Sequence, residues 1–231
     1  MPTPSQASLP SQGTTLIPSV SCQTPGRIGP DPCREDPARL PPRYYCRHCL
    51  PADSTLDRVI GATDYTNPLD RVFGALKFGQ QLALARPLAE VLLHRLAQDD
   101  MLRTLARFDA LVPVPLSGAR LAERGFNQSL EIALALRSAS PIPLPPLRND
   151  WLQRIRHTRS QSSLDARTRH QNLRGAFRAA AGLHGKRLAL IDDVMTTGST
   201  LIEAARELKA AGAAEVIALV VARTPVPFEA R

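Results

Sequence analysis

The chain has 231 residues, which suits one full domain with a small appendage and leaves no room for two large domains. Hydrophobic residues make up 43% of the sequence, enough for one core, so disorder of the whole chain is excluded. The formal net charge is +8. The longest apolar stretches, such as residues 216–222, are far shorter than the roughly 18 residues that a membrane span needs. Because the first 20 residues also lack the basic start of an export signal, we expect a cytoplasmic protein.

The N-terminal region is rich in proline and cysteine. Because it shows neither helical nor strand periodicity, we predict disorder for residues 1–20. All four cysteines then follow within 28 residues: Cys22, Cys33, Cys46 and Cys49. The two-residue spacing of the last pair lets both thiolates reach one tetrahedral Zn²⁺, whereas ten residues separate the first pair, which makes that half of the site irregular. We therefore predict a zinc-finger-like module, with structural zinc, over residues 21–56.

From residue 57 to residue 231 the sequence alternates between strand and helix patterns, which is typical of an α/β domain. The predicted elements, in chain order, are a strand at residues 59–62, a helix beginning after Pro68, a helix at 82–96, a strand at 109–114, a helix at 121–136, a proline-rich turn at 141–146, a strand at 187–191, a turn at 192–200, a helix at 201–211 and a strand at 216–221. The last strand, helix and strand predict a βαβ unit with a parallel strand pair.

The clearest candidate site follows the strand predicted at residues 187–191. Two adjacent carboxylates, Asp192 and Asp193, end that strand, and they suit the vicinal hydroxyls of a ribose because a carboxylate only accepts hydrogen bonds. A hydroxyl-rich turn then opens a helix, where backbone N–H groups, hydroxyls and the helix dipole bind a phosphate dianion. Gly198 in this turn lets the chain approach a ligand without a Cβ. These features predict a ribose 5-phosphate site.

Residues 188–200 resemble, position for position, the signature with which type I phosphoribosyltransferases bind phosphoribosyl pyrophosphate (PRPP). The resemblance implies that Asp192 and Asp193 are catalytic. It also implies a PRPP-binding segment made of Asp192, Asp193, Val194, Met195, Thr196, Thr197, Gly198, Ser199 and Thr200.

Further motifs narrow the resemblance to one family. They are Cys46-x-x-Cys49, Leu76-Lys-Phe78, Val112-Pro-Val-Pro-Leu-Ser117, Arg124-Gly-Phe-Asn-Gln-Ser129 and Asn172-Leu-Arg-Gly-Ala-Phe177, in that order. Over roughly residues 22–221 the chain is similar to the ComF family of competence and GntX-like proteins. That family implies a type I phosphoribosyltransferase-like parallel sheet flanked by helices, with a small N-terminal cysteine-rich module. The spacing of Cys22 and Cys33 departs from the second close cysteine pair of many relatives.

The resemblance also implies a reaction and a second half of the site. PRPP with Mg²⁺ is expected to bind, and its phosphoribosyl group to be transferred to an unknown acceptor by displacement at C1, in a protein linked to DNA uptake. The residues implied to bind pyrophosphate are Pro115, Leu116, Ser117, Arg120 and Arg124. The alternative for residues 112–115 is a strand that simply ends at two prolines, and for Arg124 it is an exposed helical face.

Residues 148–178 hold eight arginines against two aspartates. Such a cluster suits phosphate or polyanion recognition, and we predict a mobile or hairpin-like insertion that is a lid over the diphosphate, a surface for single-stranded DNA or a solvated face. The rival to an enzyme is a non-catalytic PRPP sensor or an accessory protein that handles single-stranded DNA or contacts DNA-uptake proteins. Whether the chain forms a homodimer stays open.

Overall fold

The central feature of the fold is a five-stranded sheet, seen in a computed structural model that describes residues 21–23, 55–98, 100–156 and 173–224. Its strands are β1 (Ser21–Gln23), β2 (Arg58–Asp64), β3 (Ala110–Pro113), β6 (Arg187–Met195) and β7 (Glu215–Arg223). Their order is β1-β2-β7-β6-β3, and every neighbouring pair is parallel except β1 and β2. The carboxyl ends of four strands therefore meet at one edge, where open α/β sheets bind ligands.

Helices cover both faces of this sheet. They are α1 (Leu69–Phe78), α2 (Ala85–Gln98), α3 (Met101–Leu105), α4 (Gly118–Arg124), α5 (Gln128–Ala139) and α6 (Ser199–Ala210). Because side chains alternate along a strand, β6 sends Leu188 and Leu190 into one buried cluster with Leu208 of α6. Ala189 and Ile191 enter the other cluster with α2 and α5. Burial on both faces explains why the strands are almost continuously apolar.

The single helix predicted over residues 121–136 is wrong. The chain forms α4 and α5 instead, because Gly125 adopts a left-handed φ of 79° that ends α4. Asn127 then caps α5, since its side chain accepts a hydrogen bond from the Ser129 backbone N–H at 3.0 Å. This break turns the start of α5 toward the carboxyl edge of the sheet.

Two other boundaries differ from the prediction. The helix predicted over residues 82–96 begins with a 3₁₀ turn, Leu82–Leu84, and continues as α2, with Pro87 in the first turn, where its missing N–H breaks no helical hydrogen bond. The strand predicted to end at residue 191 runs on to Met195, so Asp192 and Asp193 lie within β6 and not in the turn. The βαβ unit β6-α6-β7 and its parallel strands are confirmed.

The two ends of the Arg-rich insertion form a hairpin, as predicted. Strand β4 (Leu152–Arg154) pairs antiparallel with β5 (Phe177–Ala179), and Arg154 lies opposite Phe177. Residues 157–172 of the insertion lie outside the described residues. The hairpin packs beside α6, with Leu152 and Phe177 in the same buried cluster as Leu208.

The cysteine-rich region enters the structure only as a short strand. β1 pairs antiparallel with β2, and Cys22 lies opposite Val59. Cys33, Cys46 and Cys49, and the segment predicted to be disordered, lie outside the described residues. Within the described part of the chain, no helix is both long enough and apolar enough to cross a membrane.

Candidate functional site

Asp192 and Asp193 lie near the carboxyl end of β6, and both side chains are buried. Ser129, in the first turn of α5, donates from Oγ to Asp192 Oδ1 at 2.8 Å, and the Asp193 backbone N–H donates to the same oxygen at 2.9 Å. The Lys77 ammonium, near the end of α1, forms an ion pair with the Asp193 carboxylate. The two carboxylates are therefore held by side chains from two different helices.

Burial, and after it the negative charge of Asp193, raises the pKa of Asp192 to about 7. The hydrogen bonds from Ser129 and Asp193 and the charge of Lys77 oppose this shift without cancelling it. Near neutral pH, the protonated and the ionised forms of Asp192 are therefore both populated. Asp192 can act as a hydrogen-bond donor when protonated and as an acceptor when ionised.

The turn from β6 into α6 follows directly. Gly198 precedes the helix with a left-handed φ of 73°, a conformation that strains residues with a Cβ. The Thr197 and Ser199 hydroxyls are 2.9 Å apart, and Thr196 is exposed. Among the described residues, no side chain caps α6 by a hydrogen bond, so the first N–H groups of the helix face the carboxyl edge of the sheet without a side-chain acceptor from this part of the chain. This is the arrangement in which a helix N-terminus binds an anion.

Not every residue of the predicted PRPP segment offers a side chain to a ligand. Met195 belongs to one buried cluster, and Val194 packs against the other. The Met195 carbonyl accepts from the Thr224 backbone N–H at 2.8 Å. These two residues connect the acidic pair to the turn, whereas the polar groups come from the residues on either side of them.

The residues predicted to bind pyrophosphate follow β3 at the same edge. Pro115 and Leu116 are half-buried, and Ser117 is buried just before α4. Arg120 is half-buried, and its pKa is lowered by burial and by the positive charge of Arg124. Asn127 fixes this connection, since its amide donates to the Val114 carbonyl at 3.1 Å.

A third arginine joins this group from the hairpin. Burial lowers the pKa of Arg154, the charge of Arg120 lowers it further, and the charge of Asp192 raises it. Arg154 therefore lies within electrostatic range of both Arg120 and Asp192. Arg124, the last residue of α4, donates from Nη1 to Oε1 of Gln128, the first residue of α5, at 3.1 Å.

Three residues of the site were not identified from the sequence in these roles. Lys77 belongs to the family motif Leu76-Lys-Phe78, and Ser129 belongs to the motif Arg124-Gly-Phe-Asn-Gln-Ser129. These two motifs were the only sequence features that could have pointed to Lys77 and Ser129. Arg154 was one of eight arginines and carried no individual signal. Among the residues that the structure describes, no group of three or more His, Cys, Asp and Glu side chains could hold a metal ion.

The chain has the type I phosphoribosyltransferase fold, and residues 86–228 match the phosphoribosyl transferase domain family. It is 36% identical over 182 residues to Competence protein F of Haemophilus influenzae, covering 75% of this chain and 77% of that protein. It is 34% identical over 183 residues to DNA utilization protein YhgH of Salmonella typhi, covering 79% of each. The chain therefore belongs to the ComF family of phosphoribosyltransferase-fold proteins.

One solved structure that matches part of this chain is the glutamine PRPP amidotransferase of B. subtilis. It is 22% identical to this chain, with a TM-score of 0.36, and the match covers 60% of this chain and 26% of that one.

Proposed function

We propose that this protein binds PRPP at the candidate site and transfers its phosphoribosyl group to an acceptor. The observation that supports this most is the position of Asp192 and Asp193 at the carboxyl end of β6, one short turn before α6 begins. The carboxylates suit the ribose hydroxyls, and the first turn of α6 suits the 5-phosphate. A ribose 5-phosphate needs both kinds of partner, and this edge of the sheet offers both.

The diphosphate of PRPP would lie against Arg120 and Arg154. Both guanidinium groups are partly buried and repel each other, so a bound polyanion relieves an existing electrostatic penalty. Their fork geometry matches phosphate oxygens. Arg154 belongs to the hairpin. If the hairpin closes over the ligand, it is the lid, and its Arg154 contacts the diphosphate.

Displacement at C1 needs little covalent chemistry from the protein. The C1–O bond breaks with its electron pair leaving on pyrophosphate, and the lone pair of the acceptor, a base or an amine, forms the new bond and gives up a proton. Arg120 and Arg154 would neutralise the leaving group, while Asp192 and Asp193 hold the ribose. Asp192 and Asp193 would hold Mg²⁺ together with the substrate phosphates, because the ion prefers one or two carboxylates in such sites, and it would add positive charge at the leaving diphosphate.

The biological setting we propose is DNA uptake, because two similar proteins are named for competence and for DNA utilization. The same names favour a second candidate, a non-catalytic protein that senses PRPP or handles single-stranded DNA. The enzyme and the PRPP sensor share PRPP binding and differ in turnover, whereas a protein that only handles single-stranded DNA need not bind PRPP. Pyrophosphate release therefore distinguishes the enzyme from the sensor.

Calorimetry with PRPP and Mg²⁺ tests the shared step. We expect binding by the wild type and at least a hundredfold weaker binding by the Asp192→Asn, Asp193→Asn double variant, since both ribose acceptors change. Asp150→Asn is the matched control, because that carboxylate is exposed and pairs with Arg148. Equal affinity in the double variant would remove the ribose role. Pyrophosphate release with a panel of bases and amines then indicates an enzyme, and binding without release indicates the sensor.

We also propose one structural zinc ion held by Cys22, Cys33, Cys46 and Cys49. The support is their confinement to 28 residues of the sequence. Metal analysis of the purified chain should find one zinc per chain, and Cys46→Ser should lose it. Unchanged zinc content in that variant would show that the ion is held elsewhere.

A further inference from the structure

Phe78 is an aromatic side chain exposed beside the candidate site. It is the last residue of α1 and is 74% exposed, more than the other large hydrophobic side chains of the described residues. Single exposed hydrophobic residues are common on protein surfaces, so exposure alone implies nothing. The position of this ring and its neighbours are what distinguish it.

The neighbours of Phe78 belong to the site. Lys77, the preceding residue, forms the ion pair with buried Asp193. On the other side, the Arg124 guanidinium lies over the Phe78 ring, 5.4 Å from its centroid. Arg124 is in turn held by its hydrogen bond to Gln128. An exposed phenyl ring and a guanidinium group thus stand together where α1 meets α4.

The backbone after Phe78 fixes the position of the ring. A Cβ on Gly79 would lie 2.7 Å from the Ala75 carbonyl oxygen, so only glycine fits there without a shift of backbone. Gln80 then adopts a left-handed φ of 52°, which is unusual for a residue other than glycine. The end of α1 is therefore a tight turn that presents Phe78 at a defined place.

We propose that Phe78 and Arg124 form a stacking platform for a heteroaromatic base beside the phosphoribosyl site. A base stacks on a phenyl ring or a guanidinium plane through its π face, and the phosphate that accompanies a base in a nucleotide is attracted by the arginine. An aliphatic ligand would pack against the Phe78 ring but would gain nothing from the charge of Arg124. The base belongs either to a free nucleotide or to single-stranded DNA, which present the same chemistry.

This inference goes beyond the proposed function, which leaves the acceptor unassigned. The test compares the full-length wild type with Phe78→Ala and Phe78→Trp, using oligo-dT of about twelve nucleotides, an abasic strand of the same length, and AMP. The abasic strand keeps the phosphate charges and lacks the bases. Leu134→Ala is the matched control, because it removes a half-exposed hydrophobic side chain from α5.

We expect Phe78→Ala to weaken oligo-dT binding at least fivefold and to leave the abasic strand unchanged, since stacking acts on bases alone. Phe78→Trp should retain wild-type affinity, and Leu134→Ala should have no effect. An additional loss for AMP identifies a nucleotide pocket, whereas a loss for oligo-dT alone identifies a strand-binding surface.

Three results would overturn the platform: no base-containing probe binds to the wild type, Phe78→Ala leaves all affinities unchanged, or it weakens the abasic strand as much as oligo-dT. PRPP affinity of Phe78→Ala should equal that of the wild type. Because PRPP is measured separately, a wild type that fails to bind PRPP refutes the proposed function without deciding the platform.

Discussion

The two sides of the candidate site differ in charge and in how the chain builds them. The acidic side, residues 192–200, is one continuous segment that runs from β6 into α6. The basic side is assembled from segments far apart in the sequence, and consists of Lys77, Arg120, Arg124 and Arg154. The position of the site therefore depends on a local motif, whereas its charge balance depends on tertiary packing. Variants on the two sides should behave differently.

The largest expected effect concerns Asp192 and pH. Its pKa in the folded protein is about 7, against an ordinary value of 3.8, so the folded state holds this proton more tightly than the unfolded chain. Stability should therefore fall as the pH rises from about 4 to about 7, by at most about 4 kcal/mol for a shift of about three pKa units. Asp192→Asn removes the buried charge and should be more stable than the wild type above pH 7.

Urea unfolding at about pH 5 and about pH 8 measures this effect. The advantage of Asp192→Asn should be large at the higher pH and shrink toward pH 4, because the wild-type carboxyl becomes protonated in both states. The asparagine retains Oδ1 as an acceptor for Ser129. Asp150→Asn, at an exposed carboxylate, should show no such gain. An advantage that is equal at both pH values would contradict the raised pKa.

The ion pair between the two sides gives the next largest effect. Lys77→Met leaves the Asp193 carboxylate, whose side chain is only 5% exposed, without its partner. Since the lysine itself is 21% exposed, we expect a loss of about 2 kcal/mol, less than for a fully buried pair. Lys77→Arg should retain most of the stability. The same measurement on Arg86→Met, which breaks an exposed pair with Glu90, should show under about 0.5 kcal/mol.

A double-mutant cycle distinguishes loss of the ion pair from loss of packing. In an Asp193→Asn background, Lys77→Met should change stability much less, because the carboxylate that forms the ion pair with Lys77 is gone. An equally large loss in both backgrounds would show that the Lys77 side chain stabilises α1 by packing alone. In that case the two sides of the site would be energetically independent.

The sequence predicts the acidic side better than the basic side for a physical reason. The βαβ unit around residues 192–200 is signalled by neighbouring residues: an apolar run, two carboxylates and a glycine turn. The contact between Ser129 and Asp192 joins residues 63 apart, and no local pattern encodes it. The break at Gly125 could have been predicted from glycine followed by the capping Asn127, but the apolar periodicity continues across it. The continuous periodicity favoured one helix over two.

PRPP binding by an Arg154 variant tests whether the hairpin belongs to the basic side of the site. If it contacts the diphosphate, Arg154→Gln should weaken PRPP binding about tenfold, since hydrogen bonds to charged groups contribute about 1.5–3 kcal/mol. Arg156→Gln is the matched control two residues away, because that side chain is exposed and donates to the Arg174 carbonyl at 3.0 Å. Calorimetry with PRPP and Mg²⁺ measures both.

The alternative for the hairpin is a surface for single-stranded DNA. The affinity of the protein for single-stranded DNA would then fall steeply with salt concentration. A plot of the logarithm of the binding constant against the logarithm of the salt concentration would have a slope of roughly −0.7 per phosphate contacted. If Arg154→Gln flattens that slope and leaves PRPP affinity unchanged, Arg154 belongs to the DNA surface and not to the diphosphate site.

The smallest expected effect lies in the turn of the acidic side. Gly198 has a left-handed φ of 73°, so Gly198→Ala should destabilise the fold by about 1 kcal/mol through backbone strain. Gly74→Ala should act in the opposite direction, because Gly74 lies inside α1 with open space around its Cβ position, and alanine favours helix by about 0.5–1 kcal/mol. Urea unfolding compares the two signs. Gly198→Ala can also be compared with Gly74→Ala in PRPP binding. If only Gly198→Ala weakens binding, the turn requires glycine for the ligand as well as for the backbone conformation, because the new Cβ then lies where the phosphate approaches.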